Sequence, residues 1–260
     1  MDELKFPILD FDASPRAIIE PGEFIPAGDA PKHMVFCYFR EVIEKLVAEY
    51  KPEIFFTDHS EDSETPFYEM EYQGKRLAFA QGRVGAPIAV GAMEAAIAVG
   101  VRHFITCGGC GILDPDLARG HLLIPTRAIR GEGTSYHYLE PSFYAEMQPG
   151  PQTVIENVLK EKGLPYLLTT VWTTDAFYRE TVDKIRRYRA LGTVAVEMEA
   201  SALMALAQFR GVDHGQILYG GDRVLESGWD HGRWNTRFEI RENLFWLAAE
   251  ACLRLGVNNA

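Results

Sequence analysis

Apolar positions along the chain follow two patterns that alternate from beginning to end. Short continuous apolar runs are typical of buried strands, and apolar residues spaced three and four apart are typical of amphipathic helices. Their alternation predicts a layered α/β fold. The chain shows no internal repeat, no low-complexity tract and no linker rich in Pro, Gly or Ser. We therefore predict a single domain over residues 1–260.

The same patterns predict individual elements. The predicted strands are 17–19, 66–72, 75–80, 101–106, 121–129, 164–170, 194–196 and 216–219. The predicted helices are 33–50, 86–100, 151–162, 180–191, 197–210 and 236–255. Gln73-Gly74 separates two of the strands and predicts a hairpin.

Composition narrows the class of protein. The 26 basic and 37 acidic residues leave a net charge of −11, which argues against a nucleic-acid partner because such binding needs a basic surface. No apolar run approaches the roughly 18 residues that cross a bilayer, so no membrane partner is expected. The acidic N-terminus does not resemble a signal peptide. Four cysteines in 260 residues fit reduced thiols, and hence a cytoplasmic protein.

Two glycine clusters follow predicted strands. Cys107-Gly108-Gly109-Cys110-Gly111 is consistent either with a tight turn or with a backbone that approaches a ligand closely. Its C-x-x-C spacing lacks the second ligand pair of a zinc ribbon, so buried inert thiols are favoured and no metal is expected. In the second cluster, 81–87, a helix N-terminus can meet an anion, and Arg83 is either a ligand contact or a surface residue.

The most informative stretch is Val196-Glu197-Met198-Glu199-Ala200-Ser201-Ala202. Glutamates are seldom buried without a partner. At a helix start, Glu197 can simply favour the helix dipole. Glu199 is surrounded by apolar residues, and its carboxylate can accept two hydrogen bonds from a vicinal diol such as ribose.

Asp222 follows Gly220-Gly221 at the end of the strand 216–219. Ligands of α/β sheets collect beyond the carboxyl ends of strands, so Asp222 is a candidate proton donor. The alternative is an Asp that only forms a turn after the two glycines. The histidines His137, His214 and His231 lack metal-type spacing.

These residues resemble the nucleoside phosphorylase superfamily, which includes purine nucleoside phosphorylases, uridine phosphorylases and related nucleosidases. The resemblance runs from about residue 17 to 255 and is carried by 196–200, 104–113, 174–178 and Asp222. It implies a three-layer α/β/α sandwich around a central mixed, partly barrel-like sheet. It also implies a homo-oligomer, either a dimer or a trimer of dimers.

By matching positions, the resemblance implies roles for individual residues. Glu199 would hold the ribose hydroxyls with Met198 under the sugar, and Asp222 would protonate the leaving base beside Phe177. Further substrate-binding residues implied by the resemblance are Glu197, Gly108, Gly109 and Arg223.

The phosphate site departs from the family pattern. Phosphorolytic members carry an arginine where this chain has Thr106, and often a serine where it has Gly109. The loop at Pro21-Gly22 lacks the usual arginine, and a third arginine from a neighbouring subunit would fall near Ser63. The remaining candidates for phosphate binding are Arg83, Gly22 and Thr106, with Arg40 of a partner subunit as a substitute.

The expected function is cleavage of the N-glycosidic bond of a nucleoside by phosphorolysis, giving ribose 1-phosphate and free base. By the same resemblance, Asp222 favours a purine as the base of the substrate, whereas an arginine beside it, here Arg223, is typical of the pyrimidine-specific members. The missing arginines leave two alternatives open, which are hydrolysis by water and a nucleoside-binding protein without catalysis. No cofactor is expected, apart from inorganic phosphate as a co-substrate.

Overall fold

The computed structural model describes residues 6–61 and 63–256 of the protein. In this part of the chain, the strands are β1 (His33–Cys37), β2 (Glu53–His59), β3 (Glu64–Tyr72), β4 (Lys75–Gln81), β5 (His103–Ile112), β6 (Leu122–Gly131), β7 (Tyr144–Glu146), β8 (Tyr166–Thr174), β9 (Thr193–Glu197), β10 (Asp213–Leu225) and β11 (Gly228–Asp230). The α-helices are α1 (Pro21–Phe24), α2 (Arg40–Tyr50), α3 (Ala86–Val99), α4 (Pro149–Glu161), α5 (Val182–Ala190), α6 (Ala200–Arg210) and α7 (Phe238–Cys252). None of the described helices has the length and apolarity to span a bilayer.

Five strands of the sheet close on themselves. β5 pairs with β10, and the order continues through β6, β8 and β9, which pairs back with β5. From β5 the sheet extends outwards through β1, β4, β3 and β2. Parallel and antiparallel pairs are both present, for example β1 with β5 and β9 with β5. The expected mixed, partly barrel-like sheet is confirmed.

Helices cover both faces of this sheet. Along β1, Val35 and Cys37 pack in a core with α2, α4 and α7, whereas Met34 and Phe36 pack in a second core with α3 and α6. This alternation follows from the strand geometry, in which successive side chains point to opposite faces. The result is the three-layer sandwich that the family resemblance implied.

The predicted helix 33–50 is wrong in its first third. Residues 33–37 form strand β1, which lies between β4 and β5 and is parallel to both, and α2 begins only at Arg40. A parallel strand covered on both faces is apolar at every position, so its pattern resembles that of a buried helix. Pairing with two neighbouring strands decided the conformation.

The predicted strand 17–19 is also wrong. Ile18 is 97% exposed and forms no strand, and the following Pro21 begins the short helix α1. Prolines at positions 15 and 21 flank this segment, and the N–H of Ala17 donates to the Glu20 side chain instead of to a neighbouring strand.

The other predicted elements are present with shifted ends. The hairpin about Gln73-Gly74 is confirmed as β3 and β4. The strand predicted to stop at Thr106 continues through the glycine cluster to Ile112. Glycine is needed inside this strand, because a Cβ on Gly111 would lie 2.9 Å from Val224 Cγ2 and 3.1 Å from Val196 Cγ1.

Gly131 at the end of β6 offers a direct test of this packing. A Cβ at this position would lie 2.5 Å from the Thr173 carbonyl oxygen and would press on the indole of Trp172. We expect Gly131→Ala to lower the free energy of unfolding by about 1–3 kcal/mol, as overpacking does. Gly150→Ala is the control, because nothing lies within 4 Å of a Cβ there. Equal stabilities of the two variants in urea unfolding would contradict the prediction.

Candidate active site

The carboxyl ends of three barrel strands meet at Gly111. This residue pairs with Val196 of β9 on one side and with Asp222 of β10 on the other. Because neighbouring strands are about 4.8 Å apart, Asp222 and the end of β9 lie about 10 Å from each other across a single glycine. The two acidic segments singled out in the sequence therefore lie in the same part of the barrel.

Glu197 ends β9 and organises the start of α6. Its Oε2 accepts hydrogen bonds from the N–H groups of Glu199 and Ala200, both at 2.7 Å. Its Oε1 accepts the Thr173 hydroxyl at 2.6 Å. Both oxygens are thus occupied by protein donors. Glu197, expected to bind substrate, holds the helix start that carries Glu199.

A buried hydroxyl network supports this arrangement. The Thr173 Oγ1 accepts the N–H of Ser201 at 2.9 Å, and the Ser201 hydroxyl donates to Glu132 Oε1 at 2.9 Å. Glu132 also accepts the N–H groups of Thr134 and Ser135. These contacts tie the ends of β6 and β8 to the start of α6.

Glu199 is 6% exposed and lies directly before α6. Its Oε1 accepts the N–H of Gly85 at 2.6 Å, which joins it to the loop between β4 and α3. Met198 beside it is half-buried. Among the described residues, no Lys or Arg forms an ion pair with Glu199 or Glu197.

Glu197 and Glu199 are buried without a paired cation among the described residues, and this raises the pKa of both. Burial raises the pKa of Glu199, and the nearby charge of Glu197 raises it further. Burial also raises the pKa of Glu197. A ligand that donates hydrogen bonds to Glu199 would replace the water that the carboxylate has lost.

Asp222 lies at a bulge in β10, where the pairing with β5 shifts between Gly220 and Asp222. Its Oδ2 accepts the indole N–H of Trp229 at 2.6 Å. Trp229 belongs to β11, which pairs with the end of β10. The bulge and this indole together set the direction of the Asp222 carboxyl group.

A second carboxyl group, Glu180, lies near Asp222. Burial and the charge of Asp222 raise the pKa of Glu180 to about 7. Glu180 follows the 3₁₀ turn that carries Phe177, whose ring is 52% exposed and lies 4.2 Å from the ring of Tyr178. An exposed aromatic ring beside two acids is suited to stack against a heterocyclic base.

Tyr38 comes directly after β1 and lies between two glycines. A Cβ on Gly82 would lie 2.9 Å from the Tyr38 ring, and a Cβ on Gly108 would lie 3.3 Å from it. Burial, together with the charges of Glu199 and Glu197, raises the Tyr38 pKa well above its usual value. Gly108 therefore contacts an aromatic ring, while Gly109, next in β5, is exposed.

Two predicted phosphate ligands have protein partners. Arg83 donates to the Thr65 hydroxyl at 3.0 Å and also to the Ser63 hydroxyl. Thr106 is fully buried in the middle of β5 and bonds to His214 Nε2 at 3.1 Å. The structure therefore does not bring Thr106 to the site.

Gly22 lies far from Glu199, and the Arg223 side chain points away from Asp222. Gly22 lies in α1, which packs on α3, and the adjacent Glu20 pairs with Arg210 at the far end of α6. An eleven-residue helix is about 16 Å long, so Gly22 is remote from Glu199. Arg223 donates to the Leu117 carbonyl oxygen at 3.0 Å. As the strand neighbour of Asp222, it points to the other face of β10.

The four cysteines are free and buried. Burial raises the pKa of Cys107 and of Cys110, which keeps both as thiols. Within residues 6–61 and 63–256, no group of three or more His, Cys, Asp or Glu side chains could hold a metal ion.

The fold agrees with comparisons to known proteins. A family model described as the phosphorylase superfamily matches residues 32–252. The chain belongs to this superfamily. The superfamily contains nucleoside phosphorylases and nucleosidases, and this membership makes the protein a member of an enzyme family.

Among curated relatives, a guanosine phosphorylase from Halorubrum lacusprofundi is 30% identical over 146 residues, which are 56% of this chain and 61% of the relative. This match spans less than two thirds of the relative's length. A DeoD-type purine nucleoside phosphorylase from Alkaliphilus metalliredigens is 27% identical over 191 residues, covering 71% of this chain and 77% of the relative.

Solved structures show the same fold at low identity. A uridine phosphorylase from Vibrio fischeri superposes with a TM-score of 0.72 at 20% identity, covering 88% of this chain and 96% of the other. A Toxoplasma gondii purine nucleoside phosphorylase in complex with immucillin-H superposes with a TM-score of 0.73 at 21% identity, covering 87% of this chain and 92% of the other. An AMP nucleosidase from Bacteroides thetaiotaomicron superposes with a TM-score of 0.68 at 23% identity, covering 86% of this chain and 87% of the other.

Sequence reasoning missed three residues of this superfamily member's candidate site. Tyr38 was placed inside a predicted helix, and the aromatic pair 38–39 that ends the apolar run was the available signal. Glu180 was read only as a helix start, although it is an acid three residues beyond Phe177. Glu132 stands between two glycines after an apolar strand, a pattern that indicates a strand-end acid.

The raised pKa values of these buried acids predict a pH dependence of stability. An acid whose pKa is raised by folding binds its proton more tightly in the folded state, so stability falls as pH rises. For Glu180 this range runs from its usual 4.5 to about 7. We expect the free energy of unfolding to decrease between about pH 5 and pH 8, and Glu199→Gln to reduce the decrease. The exposed Glu44→Gln is the control, and an unchanged decrease in Glu199→Gln would contradict the prediction.

Proposed function

We propose that the protein cleaves the N-glycosidic bond of a purine nucleoside and releases the free base. The observation that carries this proposal is the buried Glu199 carboxylate, which lacks a cation among the described residues and closely follows β9, while Asp222 lies on β10 at the other side of Gly111. A carboxylate of this kind favours a ligand that donates two hydrogen bonds, as the ribose 2′ and 3′ hydroxyls do. The expected sugar site is Glu199 with Met198.

The base would lie on the Asp222 side of the site. Phe177 offers an exposed ring for stacking, and Asp222 offers a carboxyl group directed by Trp229. A departing purine needs a proton, and a positioned acid supplies a rate increase of roughly 10²–10⁴-fold. Glu180, with a pKa of about 7, holds a proton near Asp222 at neutral pH.

The sugar would pass through a state resembling an oxocarbenium ion as the bond to the base breaks. Glu199 and Glu197 would lie near this developing positive charge, and in their ionised forms they would stabilise it more than the neutral ground state. The acceptor at the anomeric carbon is either phosphate, giving ribose 1-phosphate, or water, giving ribose. The reaction needs no cofactor beyond the acceptor.

Product analysis with inosine, guanosine, adenosine and uridine tests the proposed function. We expect release of purine bases, and Asp222→Asn should slow it by at least about 10²-fold, the scale of a lost general acid. Glu199→Gln should abolish turnover through loss of the diol contact. Asp183→Asn is the control, because Asp183 is 84% exposed on α5. Thermal stabilisation by nucleosides without any turnover would instead support a binding protein that lacks catalysis.

A homo-oligomer is part of this proposal. The segment before β1 exposes large apolar side chains, with Ile18 at 97%, Ile19 at 72% and Phe24 at 71% exposure. Apolar surface of this kind is typical of protein interfaces. We expect light scattering to give a multiple of the 29.2 kDa chain mass, and Ile18→Asp to shift it towards the monomer. A monomeric wild-type protein would contradict this part of the proposal.

The four free, buried cysteines support a reducing compartment such as the cytoplasm.

A further inference from the structure

The acceptor must approach the anomeric carbon from the side opposite the departing base, because bond formation and bond cleavage are aligned. In the sheet, β5 separates β10, which carries Asp222, from β1 and β4. A base beside Asp222 and a sugar over Glu199 therefore leave the ends of β1 and β4 as the acceptor side.

The ring of Tyr38 occupies this side. It lies between Gly82, whose added Cβ would be 2.9 Å from the ring, and Gly108, whose added Cβ would be 3.3 Å from it. The Tyr38 N–H donates to the Cys107 carbonyl at 3.0 Å, and the Gly82 N–H donates to the Cys37 carbonyl at 2.8 Å. Backbone bonds thus hold the residues around the ring, and the two glycines leave a slot that the ring fills.

The two arginines nearest to this position in the chain are bonded to protein groups. Arg83 donates to Ser63, which lies between β2 and β3, and to Thr65 of β3. Arg40, two residues after Tyr38, is 84% exposed and pairs with Glu44 on the surface of α2. The charges that act on the Tyr38 hydroxyl are those of Glu199 and Glu197.

We propose that Tyr38 determines the acceptor by filling the space that a phosphate ion would need, so that water attacks the anomeric carbon and ribose is the sugar product. This inference rests on the proposed function. A water molecule needs only about 30 Å³ and can bond to the Tyr38 hydroxyl and to the Glu199 carboxylate.

The step balances without a further reactant. The water oxygen forms the bond to C1′ while the bond from C1′ to the base nitrogen breaks, and the electron pair of that bond leaves with the base. The base takes a proton from Asp222. The proton that the attacking water loses returns to Asp222 through solvent, so one nucleoside and one water give one ribose and one base.

The experiment compares wild type, Tyr38→Gly and Tyr38→Phe, each with inosine in the presence and absence of inorganic phosphate. Wild type and Tyr38→Phe should form ribose only, because both keep the ring. Tyr38→Gly should form ribose 1-phosphate, with a saturable increase in base release of about tenfold, equivalent to about 1.4 kcal/mol of binding free energy. Tyr38→Ala replaces Tyr38→Gly if circular dichroism shows that the glycine variant does not fold.

Ribose 1-phosphate from wild type or from Tyr38→Phe would overturn the inference, as would a Tyr38→Gly protein that is indifferent to phosphate. Calorimetry with inorganic phosphate alone separates this inference from the proposed function. Phosphate binding by Tyr38→Gly and not by wild type supports the role of Tyr38 even if no nucleoside is cleaved. Phosphate binding by wild type contradicts it.

Discussion

The structure depends on the burial of carboxyl groups at the open end of a closed barrel, where no basic residue among those described forms an ion pair with Glu197 or Glu199. An isolated buried charge is strongly unfavourable. Glu197 is stabilised by two backbone N–H groups and a hydroxyl, whereas Glu199 has Gly85 as its bonded backbone partner. The difference between these neighbours explains why one acid organises the helix start and the other is available to a ligand.

This constraint accounts for much of the surrounding architecture. The start of α6 must face the site so that its N–H groups reach Glu197, and the hydroxyls of Thr173 and Ser201 must connect it to Glu132. Each of these groups comes from the end of a different barrel strand or from the helix that follows. Closure of the barrel is what brings these ends together, and it positions the site before any ligand arrives.

The two sides of the site differ in chemistry. The side of β10 offers Asp222, Glu180 and aromatic rings, which suit a heterocycle that leaves with a proton. The side of β1 and β4 offers glycine backbone and the neutral phenol of Tyr38. In the proposed reaction a sugar held over Glu199 would lie between the two, and different strands would then set the choice of acceptor and the choice of base.

The sequence alone determined the fold class and most of the helices, because apolar periodicity is a property of neighbouring residues. It also predicts that Glu199, Asp222 and Phe177 share a site. It did not determine that 33–37 is a strand, since a strand buried on both faces has the same apolar pattern as a helix. Nor did it place Tyr38, Glu180 and Glu132 at the site, or remove Thr106 and Gly22 from it. Those positions depend on strand pairing and barrel closure, which join residues far apart in the chain, and only the tertiary structure decides them.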